Sequence, residues 1–286
     1  MSLIYNATFD SGTRVLSLLD KAGNVISSCE VPSKGDPLTL TATADNSSVR
    51  LTRNGTLSNK FEVNTGSGWQ AYTFGTVIHL NAGESCKWRC SAHPTTQSTS
   101  NYVKFVMTGR IEASGNCNSM LSSDFENITA LSEYDLAFYC LFRYCNSLTK
   151  APSLPATTLG DHCYFCMFSD CKSLTQAPSL PATILTSSCY PYMFSDCVSL
   201  TQAPALPATY LPAYCYQNMF SGCSKLKEVR IAATGKGTGA LTDWLSGVSA
   251  TGDFYCDPNA TIFPTYSESG IPAYWTRRAL ADYPTP

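Results

Sequence analysis

The sequence predicts a mainly β chain in two parts: an N-terminal β-sandwich, then a short solenoid of about four stacked 26-residue coils with α/β repeats. Three observations predict it. MFSDCKSLTQAPSLPAT at 167–183 returns at 193–209 as MFSDCVSLTQAPALPAT, altered only at Lys172/Val198 and Ser179/Ala205. The same 26-residue spacing sets Phe142, Phe168, Phe194 and Phe220 in one column, Cys145, Cys171, Cys197 and Cys223 in a second, and Leu148, Leu174, Leu200 and Leu226 in a third. Before residue 115 the pattern changes to short alternating apolar runs separated by Gly, Asn and Ser clusters.

Fixed-period self-similarity marks a repeat architecture. A unit of this size cannot stand alone, because ordering its backbone costs on the order of 1–2 kcal/mol per residue, while each buried Met, Phe, Leu or Cys returns roughly 1.5–3 kcal/mol. Neighbours must supply the difference, so each column becomes a ladder with successive coils about 4.8 Å apart. Pro152, Pro178 and Pro204 form a further column, as do Leu154, Leu180 and Leu206, but the fourth copy carries Val229-Arg230-Ile231-Ala232 instead. A divergent closing unit suits an array whose last face meets water.

Within the unit, CYPYMFSDC (189–197) spaces Cys189, Met193, Phe194 and Cys197 as a short helical turn with one apolar face. SLTQA (199–203) reads as a brief strand whose pairing lapses at Pro204. In the fourth copy KLKEVRIAA (225–233) can carry a longer strand, GALTDWLSGV (239–248) reads as a last helical piece, and GDFYCD (252–257) as a last strand.

The order Met-Phe, Gly or Asp-Cys, x-Ser-Leu-Thr, Leu-Pro resembles the cysteine-containing leucine-rich repeats of BspA-like bacterial surface antigens, closely over 137–240 and loosely over 115–286. The inserted Ala-Pro-x-Leu-Pro-Ala-Thr departs from that family's shorter unit. The resemblance implies a leucine-rich-repeat solenoid, binding or adhesion without catalysis, and a bacterial cell-surface, extracellular or phage-virion setting.

Ahead of the repeats, PLTLTAT (37–43), SVRLTR (48–53), KFEVN (60–64), TVIHL (76–80), CKWRC (86–90) and YVKFVM (102–107) read as strands of an Ig-like sandwich. FEVNTGSGWQAY (61–72) reads as a hairpin, and TRVLSLLDKAGNVISSCEV (13–31) as another turning at Lys21-Ala22-Gly23-Asn24. The expected organisation is therefore an attachment arm at 1–35, a sandwich at 36–114, and a repeat domain at 115–286. The last divides into an N-cap (115–136), repeats (137–240) and a C-cap (241–286).

Composition narrows the function. Charged residues are 14% of the chain and the formal net charge is −2, too little basic surface for nucleic acid or anionic lipid. No apolar run is long enough to span a membrane, and MSLIYNATFDSG has neither the basic region nor the apolar stretch of a signal peptide.

The fourteen cysteines invite disulfide, metal or packing readings. Column positions explain Cys189, Cys197, Cys215 and Cys223 as small buried groups. His162-Cys163-Tyr-Phe-Cys166 contains a CxxC, but Cys163 belongs with Cys189 and Cys215 while Cys166 matches only Cys140. Cys86-x3-Cys90-x2-His93 lies in a predicted strand and its following loop, where alternate side chains diverge. We therefore expect no metal site and no cofactor. His79, His93 and His162 stand in three contexts without an acid and nucleophile at recognisable spacing, so we expect no enzyme. Asp170 and Asp196 read as turn-tightening residues. The sequons at Asn6, Asn46, Asn54, Asn127 and Asn259 read as polar turns.

Two stripes remain as candidate binding surface. Lys150, Gln176, Gln202 and Glu228 follow the core Leu by two residues and should form a polar row on the strand face. Tyr164, Tyr190 and Tyr216, with Phe138 above, form an aromatic row that either binds or covers the core. Arg143, Tyr144, Thr158, Ile184 and Tyr210 vary between copies, as ligand-facing positions do. The expected partner is a protein or glycan on a cell surface, with self-association through residues 1–35 as the alternative.

Overall fold

The structure, a computed structural model, describes residues 6–10, 15–19 and 25–30 by their backbone and residues 35–57, 60–91, 98–265, 267 and 269–283 with their side chains. The fold is mainly β. Helical turns among the described residues are short 3-10 pieces at Cys117–Met120, Phe125–Asn127 and Leu280–Asp282.

Strands β1 (Asn6–Asp10), β2 (Val15–Leu19) and β3 (Val25–Glu30) form an antiparallel sheet in that order. The expected hairpin is the β2–β3 pair, with Val15 opposite Glu30; its turn at 21–24 and the segment 31–34 lie outside the described residues.

The next strands are β4 (Leu38–Ala42), β5 (Ser47–Asn54), β6 (Phe61–Asn64), β7 (Gln70–Ala71), β8 (Ile78–Leu80), β9 (Ser85–Cys90), β10 (Tyr102–Thr108) and β11 (Ile111–Ser114). They make a three-stranded sheet β10-β5-β8 and most of a six-stranded one, β12-β11-β4-β9-β6-β7, whose strand β12 (Leu148–Lys150) comes from the first repeat. Alternation sets the faces: Leu38, Leu40 and Ala42 are buried while Thr39 and Thr41 are partly exposed. The two sheets touch through Trp88 and Phe105, ring centroids 5.2 Å apart. The Tyr72 hydroxyl accepts from the Leu51 N–H at 2.9 Å.

The boundary expected at 114/115 is a change of pattern without a break in packing. Gly115, at φ +73°, comes so close to the Pro37 carbonyl that an added Cβ would lie 2.1 Å from its oxygen. Beyond it, β11 pairs in parallel with β12, and the Ile111 N–H donates to the Ser147 carbonyl at 2.8 Å. Buried residues on both sides belong to one core.

From β12 onward, letters that match at 26 residues are neighbours in space. Phe142, Phe168, Phe194 and Phe220 stack with centroids 5.5, 5.6 and 5.6 Å apart. Their plane angles are 6°, 7° and 3°. The cysteine column adds a polar link: the thiols of Cys171, Cys197 and Cys223 donate to the carbonyls of Phe142, Phe168 and Phe194 in the preceding unit, at 3.1, 3.1 and 3.0 Å.

The segments expected to be helical at 189–197 and 239–248 are chains of tight turns instead. In the second unit Phe165, Met167, Ser169 and Cys171 donate to carbonyls three residues back, whereas Tyr164, Cys166, Phe168 and Asp170 donate to Cys189, Pro191, Met193 and Ser195 of the next unit, at 2.7–3.0 Å. Left-handed backbone at every fourth residue, including His162, Cys166 and Asp170 (φ 55°, 53° and 62°), directs alternate N–H groups along the stack. A helix of this length is marginal by itself. It would also spend those donors internally and leave the adjoining unit's carbonyls unsatisfied. Bonding between units therefore outweighs a left-handed penalty of about 1–2 kcal/mol per non-glycine residue.

On the opposite side the extended segments pair in parallel where proline permits. SLTQA is not a strand in the second and third units, which contribute the Lys150–Gln176 bridge and the bond from Lys227 N–H to the Thr201 carbonyl at 3.1 Å. Strands β13 (Tyr210–Leu211) and β15 (Gly235–Lys236) form a small parallel pair. Strand β14 (Glu228–Arg230) pairs with β16 (Gly252–Cys256), the expected last strand, and β16 pairs with β17 (Trp275–Ala279), which the sequence reading did not anticipate.

Candidate binding face

The exposed side of the strands carries a row of polar residues running through both parts of the chain, antiparallel from β9 to β11 and parallel from there on. Ser85 lies opposite Thr41, Thr41 opposite Glu112, Glu112 opposite Lys150, and Lys150 bridges to Gln176. After the proline-interrupted step the row resumes: Gln202 donates to Glu228, Glu228 lies opposite Asp253, and Asp253 opposite Thr276. Of the residues expected here, Lys150, Gln176 and Gln202 are exposed and Glu228 is half-buried.

Their outward aim depends on an irregularity. Strand alternation would put Lys150 on the same side as buried Leu148, two residues before it. The register shifts between Ile111 and Glu112, so that Ile111 faces Leu148 while Glu112 faces Lys150. The extra residue, Thr149, reverses the parity and turns Lys150 to solvent. The fourth unit has a similar change of parity, with Leu226 and Val229, three residues apart, both buried.

The aromatic row is corrected. Tyr164, Tyr190 and Tyr216 are only 1, 2 and 1% exposed and form a second interior column with Phe138, so they pack the core and offer no surface. A column whose rings lie flat on one another 5.5 Å apart has its ring faces already occupied. Tyr210 is 58% exposed and Ile184 is 70% exposed, but both lie away from the polar row, where Tyr210 faces Gly235 and Ile184 bridges Thr158. Tyr144 is also exposed, with the Arg143 guanidinium 4.7 Å from its ring centre.

Sequence reasoning missed two features. The first is a cleft of about 530 Å³ where the polar row starts, lined by Asn64, His79, Glu84, Ser85 and Lys87 among others. The second is Tyr283, which lies across the far end of the row. Its hydroxyl accepts from Gln202 Nε2 at 2.6 Å and donates to Glu228 Oε1 at 2.8 Å. Burial and the hydrogen bond to Glu228 raise its pKa. Neither feature has a 26-residue echo that could have revealed it.

Reactive chemistry is sparse. Among the described residues no group of three His, Cys, Asp or Glu is placed to hold a metal. Thirteen described cysteines are buried. Burial pushes the Cys86, Cys145 and Cys215 thiols up to about 12. Cys140 is the exception, lowered first by the hydrogen bond from Cys166 and also by Arg143, yet it is itself buried. The Cys163/Cys166 pair separates as its columns require, Cys163 reaching toward the Cys189 carbonyl and Cys166 toward Cys140. Cys86 and Cys90 do not diverge, because four residues apart puts both on the buried face of β9, with Trp88 between them donating to the Cys86 sulfur at 3.2 Å. His93 lies outside the described residues. Among the described residues no helix is long and apolar enough to cross a membrane.

Comparison with protein-family models, with curated proteins and with solved structures finds no match to this chain.

Proposed function

We propose that this chain is a non-catalytic recognition or adhesion module of the BspA-like leucine-rich-repeat kind. It is a β-sandwich joined to a solenoid of about four coils, and it binds a glycan or protein on a cell surface through its exposed strand face. One observation carries the reading: the polar row from Ser85 through Glu112, Lys150 and Gln176 is continuous across the β11–β12 junction. Polar side chains held in register on an outer face offer a partner a row of donors and acceptors at a fixed spacing. Buried thiols such as those of Cys171, Cys197 and Cys223, which bond backbone carbonyls, suit a protein that folds in a reducing cytoplasm before release, which supports the virion setting over the bacterial surface.

The test is binding of the full chain to glycan and surface-protein arrays beside the double variant Lys150→Glu/Gln176→Ala. A ligand retained by the wild type and lost by the variant, with the fold unchanged, supports the strand face. A ligand retained equally by both removes it.

A second reading, a structural component of a tail or stalk, has its own support. Strands β1–β3 pair only with one another among the described residues, as an arm that joins another chain would. Mass measurement by light scattering, with and without residues 1–35, separates the two: an oligomer that becomes monomeric on truncation favours assembly.

A further inference from the structure

Residues 280–283 turn back over the outer surface of the strands and place one side chain on the polar row. The Tyr283 hydroxyl bonds Gln202 and Glu228, its ring lies under the Arg230 guanidinium with Cζ 4.6 Å from the ring centre, and Tyr255 meets it at 4.9 Å and 84°. Three successive layers of the stack thus provide a partner for each part of a phenol: a donor and an acceptor for the hydroxyl, a cation for the ring face. Among the described residues, the hydrogen bonds joining 280–283 to the strand face run through that one hydroxyl, and the Tyr283 N–H bonds Leu280 within its own turn at 3.3 Å.

We propose that Gln202, Glu228 and Arg230 form a binding site for a tyrosine side chain of a partner polypeptide, occupied by Tyr283 until the partner displaces residues 280–283. The inference rests on the reading of the strand face as a recognition surface and names the partner chemistry at its far end. A sugar hydroxyl would satisfy Gln202 and Glu228 but leave Arg230 without a ring. A phosphate or carboxylate would meet the charge of Glu228. An aliphatic side chain would use none of the polar groups. Being tethered, Tyr283 competes at high effective concentration, so the site is masked in the intact chain.

The experiment titrates N-acetyl-L-tyrosinamide into the full chain as wild type, Tyr283→Ala and Tyr283→Phe, following the Gln202 side-chain amide by NMR. The expected result is a saturable shift in Tyr283→Ala, about tenfold weaker with N-acetyl-L-phenylalaninamide because a hydrogen bond to a charged group is lost. The wild type should respond at least about tenfold more weakly than Tyr283→Ala. Tyr283→Phe keeps the ring on Arg230 and loses both hydroxyl bonds, so it should bind tyrosinamide more tightly than wild type even if Tyr283→Ala does not fold. No shift in either folded variant, equal shifts with the two amides, or equal responses in wild type and Tyr283→Phe would overturn the proposal. A silent site in a protein whose array ligand still depends on Lys150 and Gln176 removes the tyrosine site alone. Loss of that array dependence with a responsive site removes the broader reading instead.

Discussion

Phe105 stacks on Phe142, with ring centroids 5.2 Å apart and planes 18° from parallel. Phe105 belongs to β10, outside the repeats, yet it continues the Phe142–Phe220 column upward by one layer. Trp244 closes the other end, meeting Phe220 at 6.4 Å and Tyr216 at 6.3 Å. The repeat stack therefore ends on apolar rings at both ends, and the N-terminal sheets serve as its first cap.

Truncating that cap should destabilise the whole chain. Phe105→Ala is expected to cost about 3–5 kcal/mol, read as a lower urea midpoint with an unchanged slope in a single transition. Two transitions, of which only the earlier moves, would show that the sheets and the stack unfold independently.

The left-handed positions predict a paired effect. Gly222 (φ +76°) stands where the preceding unit has Asp196, and a Cβ added to it would lie 2.2 Å from Asp196 Oδ1. Gly222→Ala should lose about 1–2 kcal/mol from the backbone alone. The further loss from the contact should be recovered in Gly222→Ala/Asp196→Gly, giving a non-additive double-mutant cycle.

The buried thiols predict alkaline weakening. Their folded pKa values, about 12 for Cys86, Cys145 and Cys215, lie above the ordinary 9.0, so the stability they contribute is complete below pH 9 and is lost as pH rises toward 12. In that window the unfolded chain has released protons that the folded chain keeps, and each such thiol removes about 1.4 kcal/mol per pH unit. Urea midpoints under reducing conditions should be level from pH 7 to 8.5 and fall steeply above pH 9; a midpoint still level at pH 10 contradicts the buried column.

Core tyrosines should separate from the polar row in stability. Tyr190→Ala is expected to lose about 3–5 kcal/mol, as a truncated core ring does. Lys150→Ala and Gln176→Ala should stay within about 0.5 kcal/mol of wild type, while changing array binding. The reverse ranking in a thermal melt would place the functional surface on the aromatic side.

How much of this was legible depends on which interaction set each feature. The Phe, Cys and Leu columns were readable because a side chain buried between copies of itself must recur. The same logic could not tell a buried Tyr164–Tyr216 row from an exposed one, since both repeat at 26 residues. The turns at 189–197 were read as helical because Cys189, Met193 and Cys197 fit a helical spacing, and the spacing of side chains carries no record of where alternate N–H groups point. Lys150 lies on the outer face although simple alternation argues against it; the bulge at Thr149 that puts it there is a property of the pairing with β11.

The amino-acid sequence by itself determined the repeat, its period, the contents of its interior and the β character of what precedes it, because these follow from local patterns of apolar and turn-forming residues. Only the tertiary structure decided that the two parts share one core through Phe105, that units bond to each other in preference to forming helices, and that Tyr283 rests on Gln202 and Glu228. Those outcomes depend on contacts between residues far apart in the chain, where one backbone donor or one ring must choose among partners that no local pattern ranks.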